Sequence, residues 1–194
     1  MKRTAQNPRV DEQFLSRWSP RAMQPDSPLS YEDLEPLFEA ARWSPSSYNA
    51  QPWRFMYVSA DEPMFGQYLD LLVEANRAWA QHAGALVLVI SRSQFEHNDK
   101  DSITHSFDAG AAWMSFALQA SMLGLVTHGM QGFDYDAARD VLDIPPVFQI
   151  EAMIAVGRPG DSALLPGSLR DRELPSDRKR LETIVMHGSF QQDG

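Results

Sequence analysis

Uncharged polar side chains are concentrated at residues 44–53, in the string Ser-Pro-Ser-Ser-Tyr-Asn-Ala-Gln-Pro-Trp. Ser46, Ser47, Asn49 and Gln51 offer hydroxyl and amide groups that both donate and accept hydrogen bonds. Such groups suit a neutral polar ligand with several carbonyls and hydroxyls better than they suit a metal ion or proton transfer. Composition alone also fits an ordinary turn, because Ser, Pro and Asn dominate turns in general.

Two arginines and a serine alternate in the segment Arg17-Trp18-Ser19-Pro20-Arg21. Pro20 biases Ser19 toward an extended backbone, and an extended chain points residues 17, 19 and 21 to one side. Two guanidinium groups that flank a hydroxyl would bind a phosphate monoester and a neighbouring polyol. The competing interpretation is a solvated loop with incidental arginines. A formal net charge of −9 makes a local basic cluster more informative in this chain.

The string at residues 44–53 resembles the nitroreductase family of FMN-dependent oxidoreductases, which carries Ser-Pro-Ser-Ser-x-Asn-x-Gln-Pro-Trp at this point. The resemblance implies that Pro45, Ser46, Ser47 and Asn49 bind FMN. It also implies an α+β fold with a central mixed or antiparallel sheet flanked by helices.

The family also has an Arg-x-Ser-x-Arg/Lys motif, which contacts the FMN phosphate and ribityl chain. Arg17, Trp18, Ser19 and Arg21 are the matching residues. Pro20 departs from the family pattern, in which a small or branched residue is commoner, and it would stiffen the bound conformation.

Three further positions extend the resemblance toward the C-terminus. Asn76 matches an asparagine that faces the flavin ring, although a surface helical asparagine explains it equally well. Met130, Gln131 and Gly132 resemble a strand-end turn whose backbone N–H groups approach flavin N5, with Gln131 in place of a commoner glutamate. Arg178 resembles a second phosphate contact, for which Arg172 and Lys179 are alternatives.

The resemblance implies that the cofactor, and no catalytic side chain, carries the chemistry. A reduced nicotinamide of NAD(P)H would give a hydride to flavin N5, and a nitroaromatic or quinone would then take its place in a ping-pong cycle. Trp79 and Phe95 are candidates to contact this substrate, and residues 92–106 are a candidate lid. The family also includes dehalogenating, flavin-destroying and aldehyde-reducing enzymes. Two alternatives are not enzymes. One is an FMN carrier or sensor without turnover, and the other is a helical dimer without a cofactor.

Bulk properties exclude several other classes. The 194 residues predict one domain over residues 1–194, and the acidic balance argues against nucleic-acid and anionic membrane partners. The chain has no cysteine, which excludes disulfides and thiolate metal sites. Metal-capable side chains between residues 97 and 105 lack a recognised ligand spacing, so no metal is predicted. No apolar stretch follows the basic N-terminal residues, and a cytoplasmic location is therefore expected.

The elements that must position these residues follow from periodicity. Ser30 predicts the start of a helix with an apolar face at Leu34, Leu37, Phe38 and Ala41, which ends before Pro45. Strands are predicted at residues 54–58, 85–90, 125–130, 149–156 and 183–186. Helices are predicted at residues 8–16, 64–80 in two pieces, 107–123 and 134–142.

The helix within residues 107–126 is apolar on most of its circumference and near membrane-spanning length. Asp108 and Gln119 would be costly in hydrocarbon, so a buried helix that ends at Gly124 is the better prediction. In the resembled family the corresponding helix lies in a large dimer interface. The resemblance thus implies an intertwined homodimer in which both chains contribute to each site.

Overall fold

A four-stranded antiparallel sheet forms the centre of the protein, for which a computed structural model describes residues 3–190. Its spatial order is β1-β2-β4-β3, and all three pairings are antiparallel, which confirms the predicted central sheet. The strands are β1 (Trp53–Ser59), β2 (Ala85–Arg92), β3 (Val126–Met130) and β4 (Phe148–Gly157).

Helices cover both faces of this sheet, so the described residues form an α+β fold. Three short 3₁₀ turns lie at Ser47–Asn49, Ser162–Leu164 and Leu181–Thr183. The α-helices are α1 (Glu12–Ser16), α2 (Tyr31–Arg42), α3 (Phe65–Leu71), α4 (Glu74–Ala80), α5 (His105–Met122), α6 (Tyr135–Val141) and α7 (Gly167–Arg170).

The central strand β2 is buried on both faces, as its continuous apolar run predicts. Leu86 and Leu88 point into one core, which they share with α3, α4 and α6. Val87 and Val89 point into a second core, which contains α2 and α5. The period-2 alternation of a strand therefore divides one apolar segment between two helix layers.

Helix α2 begins with a capping box, because Ser30 and Asp33 satisfy each other's backbone amides. Its predicted apolar stripe is confirmed, since Leu34, Leu37 and Ala41 are fully buried. The helix ends at Arg42, which leaves the chain free to enter the polar loop at residues 44–53.

Helix α5 packs along α2 and contacts all four strands. It ends at Met122, and Gly124 follows with φ +74°, the left-handed conformation predicted for the residue after the helix. No helix within residues 3–190 is long and apolar enough to span a membrane. The cytoplasmic location stays a prediction.

The predicted strand at residues 183–186 is wrong. Residues 181–183 form a 3₁₀ turn, and the backbone amide of Leu181 donates to Gln6 Oε1 at 2.9 Å. A strand persists only when its backbone pairs with a neighbouring strand. This segment instead lies against the N-terminal segment, so its β-branched residues have no ladder to join within the described residues. The first predicted helix is also shorter than residues 8–16, since α1 starts at Glu12.

Candidate functional site

Five arginines line a pocket of about 420 Å³ between β3, the N-terminal segment and the C-terminal segment. We call it the arginine pocket. The predicted motif at residues 17–21 contributes to the lining. Arg172 and Arg178 also contribute; Arg178 lies in residues 174–190, which we call the C-terminal segment, and Arg172 lies just before it. Lys179 is not part of its lining. The residues that line it are Arg3, Arg17, Trp18, Ser19, Arg21, His128, Arg172, Leu174, Ser176 and Arg178.

Positive charge in the arginine pocket is only partly compensated by the protein. Arg21 pairs with Glu173, whose other oxygen accepts the backbone amides of Arg21 and Ala22 at 2.5 and 2.8 Å. Arg17 Nη1 donates to Ser19 Oγ at 3.4 Å, but its buried Nε has no hydrogen-bond partner among the described residues. Burial, then repulsion from Arg3 and Arg178, lowers the pKa of the Arg17 guanidinium. An anion in this pocket would supply both the missing charge and the missing acceptor.

His128 of β3 extends this pocket toward the core. Its Nδ1 lies 3.1 Å from the Pro20 carbonyl oxygen, so the ring supports the turn between the two motif arginines. Burial is the largest cause that lowers the pKa of His128. The imidazole also packs on the indole of Trp79, with ring centroids 4.8 Å apart.

The structure does not support the prediction that Trp79 contacts the substrate. The Trp79 side chain is fully buried in the core and lines none of the pockets described. Asn76, one helical turn earlier, is only half-buried. A spacing of three residues rotates the side-chain direction by about 60° around the helix, and here that angle separates a surface residue from a core residue.

Asn76 and the turn at residues 130–132 lie together. Asn76 Nδ2 donates to the Gly132 carbonyl oxygen at 3.0 Å, and the Val73 amide donates to the same oxygen at 3.1 Å. Met130 is buried and Gln131 is exposed. A Cβ at residue 132 would lie 2.6 Å from Asn76 Nδ2, so this approach requires glycine.

The loop at residues 44–53 is fastened to the first turn and to the middle of α5. Ser44 Oγ lies 2.7 Å from Ser115 Oγ, and the Ser47 amide donates to the carboxylate of Asp108 at 3.0 Å. Within the loop, the Gln51 amide donates to Ser46 Oγ at 3.0 Å. These contacts hold the loop backbone while the Asn49 side chain stays exposed.

Backbone strain is concentrated in the same loop. Tyr48, Asn49 and Gln51 have φ values of 52°, 53° and 47°, which only glycine adopts freely. Non-glycine residues in this region cost of order 1–3 kcal/mol each and cluster at ligand-binding sites. The Tyr48 ring is 86% exposed and meets the Phe95 ring edge-on, with centroids 5.7 Å apart. The predicted substrate residue Phe95 therefore borders the predicted cofactor loop.

The segment at residues 92–106 has its own internal hydrogen bonds. The Phe95 amide donates to the Lys100 carbonyl at 2.8 Å, and the Ser102 amide donates to the Ser93 carbonyl at 2.8 Å. Its role as a lid stays a prediction. The described residues contain no group of three or more His, Asp or Glu side chains that could hold a metal ion.

Within one chain, the predicted cofactor residue Ser47 and the motif residues Arg17 and Trp18 lie near opposite ends of α5. The loop contacts Asp108 in the first turn, whereas Arg17 and Trp18 line a small cavity beside Ala117 and Ser121 in the last turns. Thirteen helical residues separate positions 108 and 121, which is roughly 20 Å along the axis. One chain thus presents two separate groups of predicted cofactor residues, which we call half-sites.

Sequence reasoning did not identify Arg3 and His128, which line the arginine pocket, or Glu173, which pairs with Arg21. Glu173 meets the motif only through the fold, because 152 residues separate it from Arg21 in the chain, and Arg3 lies 173 residues from Ser176. The position of His128 could have been predicted from the strand pattern. It lies two residues before Met130 on the same strand, so both project toward the same face.

Comparison with known proteins identifies the class to which this fold and these half-sites belong. The nitroreductase family model matches residues 15–77 and 66–158. A solved structure described as an oxidoreductase containing FMN is 44% identical, with a TM-score of 0.93, and the match covers 98% of this chain and 97% of that one. The chain belongs to the nitroreductase family.

Two curated relatives carry functional names. An NADH dehydrogenase of Thermus thermophilus is 28% identical over 201 residues, which cover 89% of this chain and 92% of that protein. The major NAD(P)H-flavin oxidoreductase of Aliivibrio fischeri is 41% identical over 91 residues, covering 45% of this chain and 41% of that protein.

Proposed function

We propose that this protein uses NAD(P)H and FMN to reduce electron-accepting organic compounds such as nitroaromatics or quinones. The chain is an oxidoreductase of the nitroreductase family, and the FMN in its 44%-identical structural relative supports FMN as the cofactor. The names of the Thermus and Aliivibrio relatives support a nicotinamide as the electron donor. The observation that carries the proposal is the only partly compensated positive charge of the arginine pocket, where the buried Arg17 Nε has no hydrogen-bond partner among the described residues.

The FMN phosphate fits the arginine pocket. Arg17 and Arg178 would donate charge-assisted hydrogen bonds to the phosphate oxygens, and Ser19 would meet the first hydroxyl of the ribityl chain. Arg21 would contribute less, because Glu173 already pairs with it. A neutral ligand would leave Arg17 Nε unsatisfied and the arginines mutually repelling.

FMN, when bound, supplies the hydride transfer between nicotinamide and acceptor. The chain's own contribution is to hold and orient the ring. Asn76 and the backbone amides of the 130–132 turn would face one edge of it, and Ser46, Ser47 and Asn49 would meet its polar atoms. No side-chain nucleophile or acid–base pair is required.

A homodimer would join the two half-sites. Two copies of α5 related by a two-fold axis and packed antiparallel would bring the loop of one chain beside the arginine pocket of the other. An apolar stripe on α5 supports this arrangement, since Phe107, Met114 and Met122 are 80%, 37% and 61% exposed in the single chain and fall on one helical face.

The purified protein tests the proposal directly. We expect the visible absorption of bound FMN, one FMN per chain, a dimer in sedimentation, and NAD(P)H-dependent reduction of a nitroaromatic or a quinone. Bound FMN without NAD(P)H oxidation would favour a carrier or sensor. A stable folded monomer at micromolar concentration, or a colourless protein that does not take up FMN, would contradict the proposal.

The dimer has a sharper test on α5. Phe107→Glu with Met114→Glu should yield a folded monomer that has lost FMN, because each half-site would lack its other half. The control is Glu74→Gln, which changes an exposed residue on α4, remote from this stripe.

A further inference from the structure

Arg3 connects three separate parts of the chain at the arginine pocket. Its Nη1 donates to the carbonyl oxygens of Leu15 and Arg17 at 3.2 and 2.8 Å, and its Nε donates to the Ser176 carbonyl oxygen at 3.1 Å. One guanidinium thus joins the N-terminal segment, the end of α1 and the C-terminal segment.

The carbonyl oxygen of Ser176 holds two cations at the pocket wall. It accepts from Arg3 Nε at 3.1 Å and from Arg178 Nη1 at 3.2 Å. Arg3 and Arg178 repel each other, and both repel Arg17. The geometry therefore assembles three guanidinium groups from three segments around this space. Glu173 pairs with Arg21, and the Asp177 carboxylate offsets part of the charge of Arg3, but among the described residues neither Arg17 nor Arg178 forms an ion pair.

Regular secondary structure does not hold the C-terminal segment within the described residues. Residues 174–190 form no strand and no α-helix, and nearly all of them are exposed. Beyond Arg3, the N-terminal segment holds it through Gln6, whose side chain contacts the Leu181 amide at 2.9 Å and the Glu182 carboxylate at 3.5 Å.

We propose that Arg3 is a positioning residue that clasps the C-terminal segment onto Arg17, and that this clasp and the bound phosphate stabilise each other. The phosphate supplies the counter-charge for Arg3, Arg17 and Arg178 together, so it favours the arrangement in which all three converge. In return, the clasp presents Arg178 to the phosphate. Cofactor binding and closure of the C-terminal segment are then one coupled event. This inference rests on the proposed function, because it takes the anion to be the FMN phosphate.

Limited trypsin digestion reports the state of the segment independently of activity. Arg178, Lys179 and Arg180 are three consecutive exposed cleavage sites within it, and intact-mass spectrometry identifies cuts at these positions. FMN at ten times its dissociation constant should slow this cleavage about five-fold, because it favours the closed segment while the open segment still binds FMN about ten-fold more weakly. Riboflavin, at the same multiple of its own constant, has no phosphate and should leave the cleavage rate nearly unchanged.

Variants separate the geometry of the clasp from its charge. Arg3→Ala should speed cleavage at residues 178–180 and weaken FMN binding about ten-fold, with little change for riboflavin. Arg3→Lys keeps the charge but has a single nitrogen in place of the separate Nε and Nη1 that reach three carbonyl oxygens, so it should behave like Arg3→Ala. Arg9→Ala, which removes an exposed arginine of the same segment outside the pocket, should behave like the wild type.

Equal protection by FMN and riboflavin would overturn the clasp, as would cleavage of Arg3→Ala at the wild-type rate. So would wild-type behaviour of Arg3→Lys, since charge alone would then suffice. Each of these results leaves FMN binding, and with it the proposed function, intact. A protein that binds neither flavin in a fluorescence titration would overturn the proposed function and the clasp together.

Discussion

The buried carboxylate of Asp108 accepts a hydrogen bond from the backbone amide of Ser47 at 3.0 Å. Asp108 is 3% exposed in the first turn of α5, and Ser47 immediately precedes the two left-handed residues Tyr48 and Asn49. The contact therefore holds a strained loop against a rigid helix. Backbone strain of this kind persists only where several contacts with the surrounding structure hold the strained conformation in place.

Asp108→Ala should release the loop. A hydrogen bond to a charged group contributes about 1.5–3 kcal/mol, so we expect a loss of that order in the free energy of unfolding together with lower FMN occupancy. Asp108→Asn keeps an acceptor oxygen and should cost less. Urea denaturation and flavin content measure both effects, and Asp140→Asn on the surface of α6 is the control. Unchanged stability in Asp108→Ala would mean that the loop does not depend on this contact.

Gly132→Ala should displace Asn76. The added Cβ would lie 2.6 Å from Asn76 Nδ2, and the amide must rotate away from the Gly132 carbonyl to relieve the clash. The lost hydrogen bond should cost about 1 kcal/mol of stability. Flavin occupancy should fall in Gly132→Ala, and we expect a fall of similar size in Asn76→Ala.

Gly129→Ala is the matched control, because a Cβ there would meet Trp113 at an ordinary 3.4 Å. If Gly132→Ala and Gly129→Ala retained flavin equally in absorption spectra, Asn76 would have no part in the site.

Much of the sheet and of α2 and α5 could be predicted from the sequence. Apolar residues recur there with the period of a strand or of a helix, so neighbouring residues alone indicate which face is buried. The strand boundaries agree within about two residues. The role of the two motifs in binding FMN stays a prediction. Trp79 was misplaced because a three-residue helical spacing fits either the surface or the core. Arg3 left no signal, since its partner Ser176 is 173 residues away and only the fold brings them together.

Arg17→Ala should weaken FMN binding by roughly ten-fold or more, because a charge-assisted contact is worth about 1.5–3 kcal/mol. Riboflavin affinity should change little. Arg21→Ala should add a loss of stability that Arg17→Ala lacks, because it leaves the buried Glu173 without its cation. Flavin fluorescence titration and thermal unfolding separate the two effects. Equal losses of affinity for FMN and riboflavin would count against a phosphate at Arg17.

His128 should make the cofactor-free protein less stable as the pH falls. Burial lowers the pKa of His128 in the folded state, so below the ordinary value of about 6.5 the unfolded chain binds a proton that the folded chain does not. Stability is therefore full above that pH and is lost as the pH falls through the lowered pKa. Between pH 7.5 and 5.5, the melting temperature of the wild type should fall further than that of His128→Gln. The exposed His97→Gln serves as control, and identical slopes for wild type and His128→Gln would refute the assignment.

Choice among electron acceptors should depend on Phe95 and residues 92–106. The flavin-binding motifs serve a cofactor that is the same for every acceptor, so they cannot distinguish one acceptor from another. Phe95 borders the cofactor loop through Tyr48, whose ring is 86% exposed, and a planar acceptor could pack on this aromatic pair. Aromatic contacts are worth about 0.5–1.5 kcal/mol beyond burial. Phe95→Ala should therefore change the ratio of kcat/KM between a nitroaromatic and a quinone by roughly two- to ten-fold, with FMN per chain unchanged.

The control is Lys100→Ala, which alters an exposed residue of the same segment without an aromatic ring. Steady-state rates for both acceptors should be measured beside flavin content in each variant. A Phe95→Ala protein that loses FMN would make Phe95 a support for the cofactor loop. A ratio that does not move would mean that Phe95 contacts neither acceptor, and selectivity would then have to come from other residues.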